Sequence, residues 1–359
     1  MADLESCDAQ PLRHEKPEVR PVIPQGMLDV RDVVNARLEA FFAAKRRMKL
    51  AVSTPACELY DALGELTLRG GKRLRPMVAW SGAKSIDPGA RPEDTAVLGA
   101  SLELLQAYLL VHDDWMDGDA LRRGRTTLHV RFGKRYQSRH MGACLAVLAG
   151  DLANAMALEL LLGCSSPTAT RARAYATFAQ ASQEVVVGQQ LDLLGHRDVA
   201  CVARLKTGSY TVRAPLRLGA LLFDAGDDQL EALDRFARPA GLAFQMRDDL
   251  LDVFGEAGRV GKPFASDLRQ GRRTALVEQA EMQLAAGDRR AFAQVHGNTQ
   301  ASDAQIRTVV DLLERRGVKA HAEARLQALV ADARAALDAA PLDPSPLSEL
   351  LDVLTSRQS

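Results

Sequence analysis

The chain has 359 residues, of which 47% are hydrophobic and only 5% aromatic, with 46 basic and 46 acidic side chains. That length allows a sizeable core in one large helical domain or two smaller ones, and the balanced charge leaves no global field to draw the chain onto nucleic acid or an anionic membrane. Five cysteines (Cys7, Cys57, Cys144, Cys164 and Cys201) show no CxxC spacing and the seven histidines include no HExxH, so a reduced, cytoplasmic setting is expected.

Residues 1–25 are charged, carry four prolines and show no secretory signal, which reads as a disordered leader. Residues 26–359 read as a single helical domain. Ala, Leu and Arg are plentiful, and such side chains favour helices. No proline falls between Pro92 and Pro167, nor between Pro167 and Pro215, which leaves room for several long helices. Turn residues gather at Ser85–Pro92, Gly163–Pro167, Gly195–Asp198 and Ala225–Asp228. Leu98–Val111 is apolar nearly all round, the mark of a helix inside a bundle. Met141–Gly163 is the most apolar stretch, but Asp151, Asn154 and Glu159 interrupt it, so no transmembrane segment is expected. Gly297–Asp303 reads as a surface loop, followed by two further helices and a proline-punctuated tail. No alternating run suggests a strand, and no heptad or solenoid repeat is present. The fold class is all-α.

Chemistry concentrates where the apolar helix meets His112-Asp113-Asp114. Asp113, Asp114 and Asp117 form DDxxD, with Asp113 and Asp117 one helical turn apart on one face. Carboxylates so placed suit Mg²⁺, a hard cation that takes oxygen ligands and keeps waters and substrate phosphates. One such pair is commonly a solvated face. A second copy, Asp248, Asp249 and Asp252, again follows an apolar stretch, and two facing clusters would repel unless metal ions lay between them. Gly70-Gly71-Lys72-Arg73-Leu74-Arg75 places three cations after a tight backbone turn, and Arg122-Arg123-Gly124-Arg125 follows the first aspartates closely. Arginine forks and lysine point charges together suit a diphosphate.

In order, GGKRLRP, DDWMD with LRRGRTTLH, GQQLDL, KTGSYT, FQMRDDLLD and GKPFASDL resemble the trans-prenyl diphosphate synthase family, most of all its geranylgeranyl diphosphate synthases. The likeness is strong from Leu50 to Ala275 and weak elsewhere. It implies a bundle of long antiparallel helices around a central cavity, a homodimer, and a cluster of Mg²⁺ ions, about three with the substrate diphosphate. Matched by position, Asp113, Asp117 and Asp248 resemble direct metal ligands, with Asp114, Asp249 and Asp252 in support. Arg122, Lys206 and Lys262 resemble the cations on the allylic diphosphate. Lys72, Arg75, Arg123 and Gln106 resemble the binders of isopentenyl diphosphate. Thr207 and Gln245 resemble the polar groups beside a developing carbocation, and Gln189 and Asp192 match GQxxD. Thr126 stands where the family pattern usually has proline, and Arg272 where it commonly has lysine.

The implied reaction is ionisation of an allylic diphosphate, attack by isopentenyl diphosphate, and loss of a proton. The helix before Asp113 would wall a dry pocket and set product length. Tyr108 lies five residues before Asp113 and Leu109 four, with no insertion in DDWMD, a pattern resembling enzymes that make the C20 product; farnesyl diphosphate is the alternative. His112 reads as a hydrogen-bonding neighbour, and Trp115 and His129 as structural. A terpene cyclase would lack GGKRLRP and carry a different second metal motif, and a non-catalytic partner subunit would typically lack one aspartate motif. Neither fits both intact clusters.

Overall fold

The computed structural model of the protein describes residues 23–255 and 264–356. Helices begin almost at once and follow one another with short breaks: α1 (Gln25–Leu50), α2 (Glu58–Leu68), α3 (Leu74–Ile86) and α4 (Ala96–Met116). A small hairpin, β1 (Leu121–Arg122) and β2 (Arg125–Thr126), precedes α5 (Leu128–Arg135), α6 (Arg139–Leu162), α7 (Thr168–Leu193) and α8 (Val199–Ala203). A π-helical segment, Arg204–Arg213, leads into α9 (Ala214–Leu221) and the long α10 (Asp227–Phe254). Then come α11 (Ser266–Gln270), α12 (Ala275–Gln283), α13 (Ala286–Ala293), α14 (Asp303–Arg315), α15 (Val318–Ala335) and α16 (Ser345–Thr355). Each expected break overlaps a junction between two of these helices, Ser85–Pro92 starting inside the end of α3 and Ala225–Asp228 running into the start of α10, and the Gly297–Asp303 loop separates α13 from α14.

α4 is the interior helix. Leu98, Leu102, Leu104, Leu105 and Val111 are all buried on it. Its neighbour α6 runs antiparallel, because Ser101 Oγ donates to the Ala157 carbonyl at 2.7 Å while His112 Nε2 meets the Val147 carbonyl at 3.1 Å. Two packed cores result. The larger joins α1 to α7, α9, the first half of α10 and α16, and the smaller gathers the end of α10 with α11 to α15.

By length and composition alone, Pro92–Met116 and Arg139–Leu162 could each cross a membrane. For the first, 61% of the apolar window lies inside the fold, which accounts for its hydrophobicity. α6 is less covered and leaves Met141, Leu148 and Leu162 exposed.

Two features depart from the sequence reading. Leu121 pairs with Thr126 and Arg122 with Arg125, forming a two-residue hairpin loop. Arg123 and Gly124 both take positive φ, 51° and 73°, the backbone that such a tight turn demands. Strands of two residues have no room for an alternating pattern. The tail, in turn, holds α16: Pro344 and Pro346 stand at its start, where proline's fixed φ and missing N–H cost nothing.

Candidate active site

Asp113 and Asp114 occupy the last turn of α4 and Asp117 its C-cap. Negative charge is disfavoured at a helix C-terminus, so this arrangement calls for cations nearby. The hairpin turn supplies one by folding Arg122 back. Its Nε donates to Asp114 at 2.7 Å, and the same guanidinium lies 3.7 Å from Asp113 and 3.4 Å from Asp119. Even so, burial outweighs Arg122 and pushes the Asp114 carboxyl up to about 6. Asp117 is also raised, by burial first and then by Asp113, against the pull of Arg272.

The second cluster ends α10. Asp249 is buried and held well above the usual carboxylate range, by burial first and then by the charge of Asp267, while Gln245 Nε2 donates to it at 2.7 Å. Asp252 turns both oxygens to the start of α11, accepting from Ser266 Oγ at 2.7 Å and from the Asp267 backbone N–H at 2.9 Å. Burial lowers the Lys72 ammonium, against the attraction of Asp248, which ties the GGKRLRP segment to this cluster.

Two cations pair with the first cluster and line the same chamber as Asp248 and Asp249. Lys206, on the π-helical segment, lies 3.5 Å from Asp113 and 2.5 Å from Asp192. Burial opposes its charge, yet the two carboxylates together hold it above the ordinary lysine range. The segment reaches α7 at Gly188, where a Cβ would fall 2.4 Å from the Lys206 backbone nitrogen, so only glycine admits this approach. Arg272 pairs with Asp117 and stands 3.8 Å from Asp267.

Lys206 also stands where two cavities meet. One, of about 400 Å³, is lined by Thr207, Gln245, Asp248, Asp249, Asp267 and Arg272. The other, of about 440 Å³, lies beneath Asp113 between α4 and α7, and Tyr108, Leu109, Met116, Val185 and Tyr210 give it a mainly apolar wall. Tyr108 meets His112 edge-on at 4.9 Å, His112 is tied to α6, and Trp115 faces outward. Gln189 borders the apolar cavity.

The basic residues of GGKRLRP divide. Arg73 turns inward, 2.6 Å from Glu103 and 2.8 Å from Asn35, with both ends of the ion pair buried. Arg75 donates to Thr211 Oγ1 at 2.8 Å and stacks over the Tyr210 ring at 4.4 Å. Arg123 Nη1 donates to the Gly70 carbonyl at 2.6 Å, bringing the hairpin against the glycine turn. Gln106 has a buried Oε1 without a hydrogen-bond partner. Lys262 lies outside the described residues. Asp267 and Tyr210 join the site without having been singled out. Both stand inside quoted motifs, but no local spacing marks them. Among the described residues, no three acidic, histidine or cysteine ligands converge to hold a metal ion by themselves.

Residues 57–313 match the model of the polyprenyl synthetase family. The chain belongs to that family. This polyprenyl synthetase is a prenyltransferase, and its all-α fold is the family's. It is 32% identical over 268 residues to a short chain isoprenyl diphosphate synthase of Methanocaldococcus jannaschii, covering 72% of this chain and 76% of the relative. It is likewise 32% identical over 296 residues to a geranylfarnesyl diphosphate synthase of Aeropyrum pernix, covering 79% and 88%. Among solved structures, the geranylgeranyl pyrophosphate synthase of Corynebacterium glutamicum, complexed with isoprenyl diphosphate and magnesium, superposes with a TM-score of 0.84 at 30% identity, covering 92% of this synthetase and 99% of that chain.

Proposed function

We propose that this synthetase condenses isopentenyl diphosphate with an allylic prenyl diphosphate, head to tail and in the trans sense, and releases geranylgeranyl diphosphate. The observation that carries the reading is the position of Lys206, between a carboxylate-lined chamber and an apolar cavity. A charged head and a greasy tail are thereby offered separate quarters within one molecule's length.

The donor set fits Mg²⁺. All candidate ligands are hard oxygens, and burial first, then neighbouring carboxylates, raise Asp114 in one cluster and Asp249 in the other, so a divalent cation beside them would favour their ionised forms. Asp113, Asp117 and Asp248 would hold the ions, with Asp114 oriented by Arg122, Asp249 by Gln245 and Asp252 by α11. Bound Mg²⁺ would neutralise charge gathering on the departing diphosphate. The protein's own part is to hold that diphosphate with Arg122 and Lys206, and to offer Thr207 and Gln245 to the positive charge left on the allylic carbon. Lys72, Arg75, Arg123 and Gln106 would present isopentenyl diphosphate, whose double bond attacks the allylic cation once the C–O bond has broken and forms the new carbon–carbon bond. The proton then lost passes to the released diphosphate. The apolar cavity keeps water from the cation, and Tyr108 with Leu109 forms its floor.

Three further properties belong with this reading. The exposed apolar residues Met141, Leu148 and Leu162 lie on α6 at multiples of seven, so they form one stripe, which with Val187 of α7 supports a homodimer through this face. Cys57, Cys144, Cys164 and Cys201 are free thiols, which supports a cytoplasmic setting. Residues 26–359 act as one catalytic domain. The test is incubation of the protein with labelled isopentenyl diphosphate, Mg²⁺ and each allylic primer in turn. A C20 product is expected. A C15 product would replace the assigned length, and no elongated product from any primer would overturn the reaction.

A further inference from the structure

Arg272 faces Asp117 from the far side of the site, and its backbone is fixed from behind. Its N–H donates to the Asp267 carbonyl at 3.0 Å, and its own carbonyl meets His296 Nε2 at 3.3 Å. Gly271, at φ 69°, packs so closely on the next loop that an added Cβ would lie 2.9 Å from Gly297. From this anchored turn the guanidinium crosses the chamber to Asp117, while its Nε stays near Asp267. A second strap runs alongside it, with Gln270 Nε2 donating to Asp119 Oδ1 at 3.0 Å. The cation is largely enclosed, and the carboxylates it faces are Asp117 and Asp267, then Asp113 and Asp192.

This placement has a chemical consequence. A carboxylate already paired with a guanidinium nitrogen is a poor ligand for a divalent ion, because the ion must displace a charge-assisted contact first. A diphosphate changes the competition, since it offers the same guanidinium several anionic oxygens. Building on the metal-dependent reading above, we infer that Arg272 is the resident counter-cation of Asp117, a positioning residue that withholds this carboxylate from metal until a diphosphate draws the guanidinium away. Metal binding at the first cluster is therefore coupled to diphosphate binding, and by linkage each strengthens the other. Lysine at this position would carry the charge on a single nitrogen, without the planar head that reaches Asp117 with one nitrogen and stays near Asp267 with another, so the coupling is a property of this chain's own arginine.

The test measures Mn²⁺ binding to the full-length protein by titration calorimetry and electron paramagnetic resonance, with no turnover involved. Without diphosphate, Arg272→Gln should bind Mn²⁺ at least about tenfold more tightly than the native protein, and Arg272→Lys about threefold more tightly. Arg273→Gln is the control for charge alone, since Arg273 lies one residue on and pairs with Glu281 at 3.1 Å; its affinity should stay native. Adding a non-hydrolysable thio-analogue of an allylic diphosphate should tighten Mn²⁺ binding strongly in the native protein and only weakly in Arg272→Gln. Native affinity in Arg272→Gln, or an equal gain in Arg273→Gln, overturns the inference while leaving the metal reading intact. No Mn²⁺ binding by any variant, even with the analogue present, would sink both.

Discussion

Replacing Tyr108 with alanine should lengthen the product. The ring lines the cavity beneath Asp113, half-buried and edge-on against His112. Each extra five-carbon unit that finds room there buries about 4 kcal/mol of apolar surface, at ~0.8 kcal/mol per methylene-sized group. That is nearly a thousandfold in the tendency of a chain to stay and grow rather than leave. Against it stands the lost edge contact, about 0.5–1.5 kcal/mol, which a folded domain tolerates. The assay is chromatographic separation of dephosphorylated products from labelled isopentenyl diphosphate. At least one additional five-carbon unit should dominate the Tyr108→Ala profile, whereas Tyr108→Phe, which keeps the bulk, should leave it native. KM for isopentenyl diphosphate should hold within about threefold, because Lys72 and Arg75 are untouched. An unchanged product profile in Tyr108→Ala would refute the floor.

Glu103→Gln leaves the buried Arg73 guanidinium without its counter-charge and should cost about 3–5 kcal/mol in urea unfolding. The metal-free protein should lose stability as pH rises from about 4 through about 6. Asp114 is raised to about 6, and a carboxyl raised on folding binds its proton more tightly in the folded chain, so the penalty grows until it ionises and is constant above. Asp117 and Asp249 act in the same sense, while His129, lowered by burial, opposes them. The share due to Asp114, at most about 3 kcal/mol, is read from melts of native and Asp114→Asn protein at pH 5 and 7.5. An identical pH response in both would refute it.

The helices were legible because their ends carry local chemistry. Proline-free intervals and turn clusters are written next to the backbone they govern, and α4 announces its burial by having no polar face. α16 was hidden because the same prolines that break a helix from within also start one. The π-helical segment depends on α7 presenting Gly188, which no window around Lys206 can reveal. In the site, the aspartate clusters were visible as repeated spacing. What was not visible is which partner each charge finds: Arg73 looks like its basic neighbours until Glu103 claims it, and Asp117 meets Arg272 only once the chain has returned from far away.

Asp252 shows how a motif's letters can divide their labour. Its neighbours at 248 and 249 face the chamber, but its own oxygens moor the short helix that brings in Asp267 and, a turn later, Arg272. Losing that mooring would harm the site from a distance, by letting a whole wall drift with every chamber-facing carboxylate still in its place along the chain. Damage at position 252 should therefore look like misassembly, unlike the loss of a single ligand.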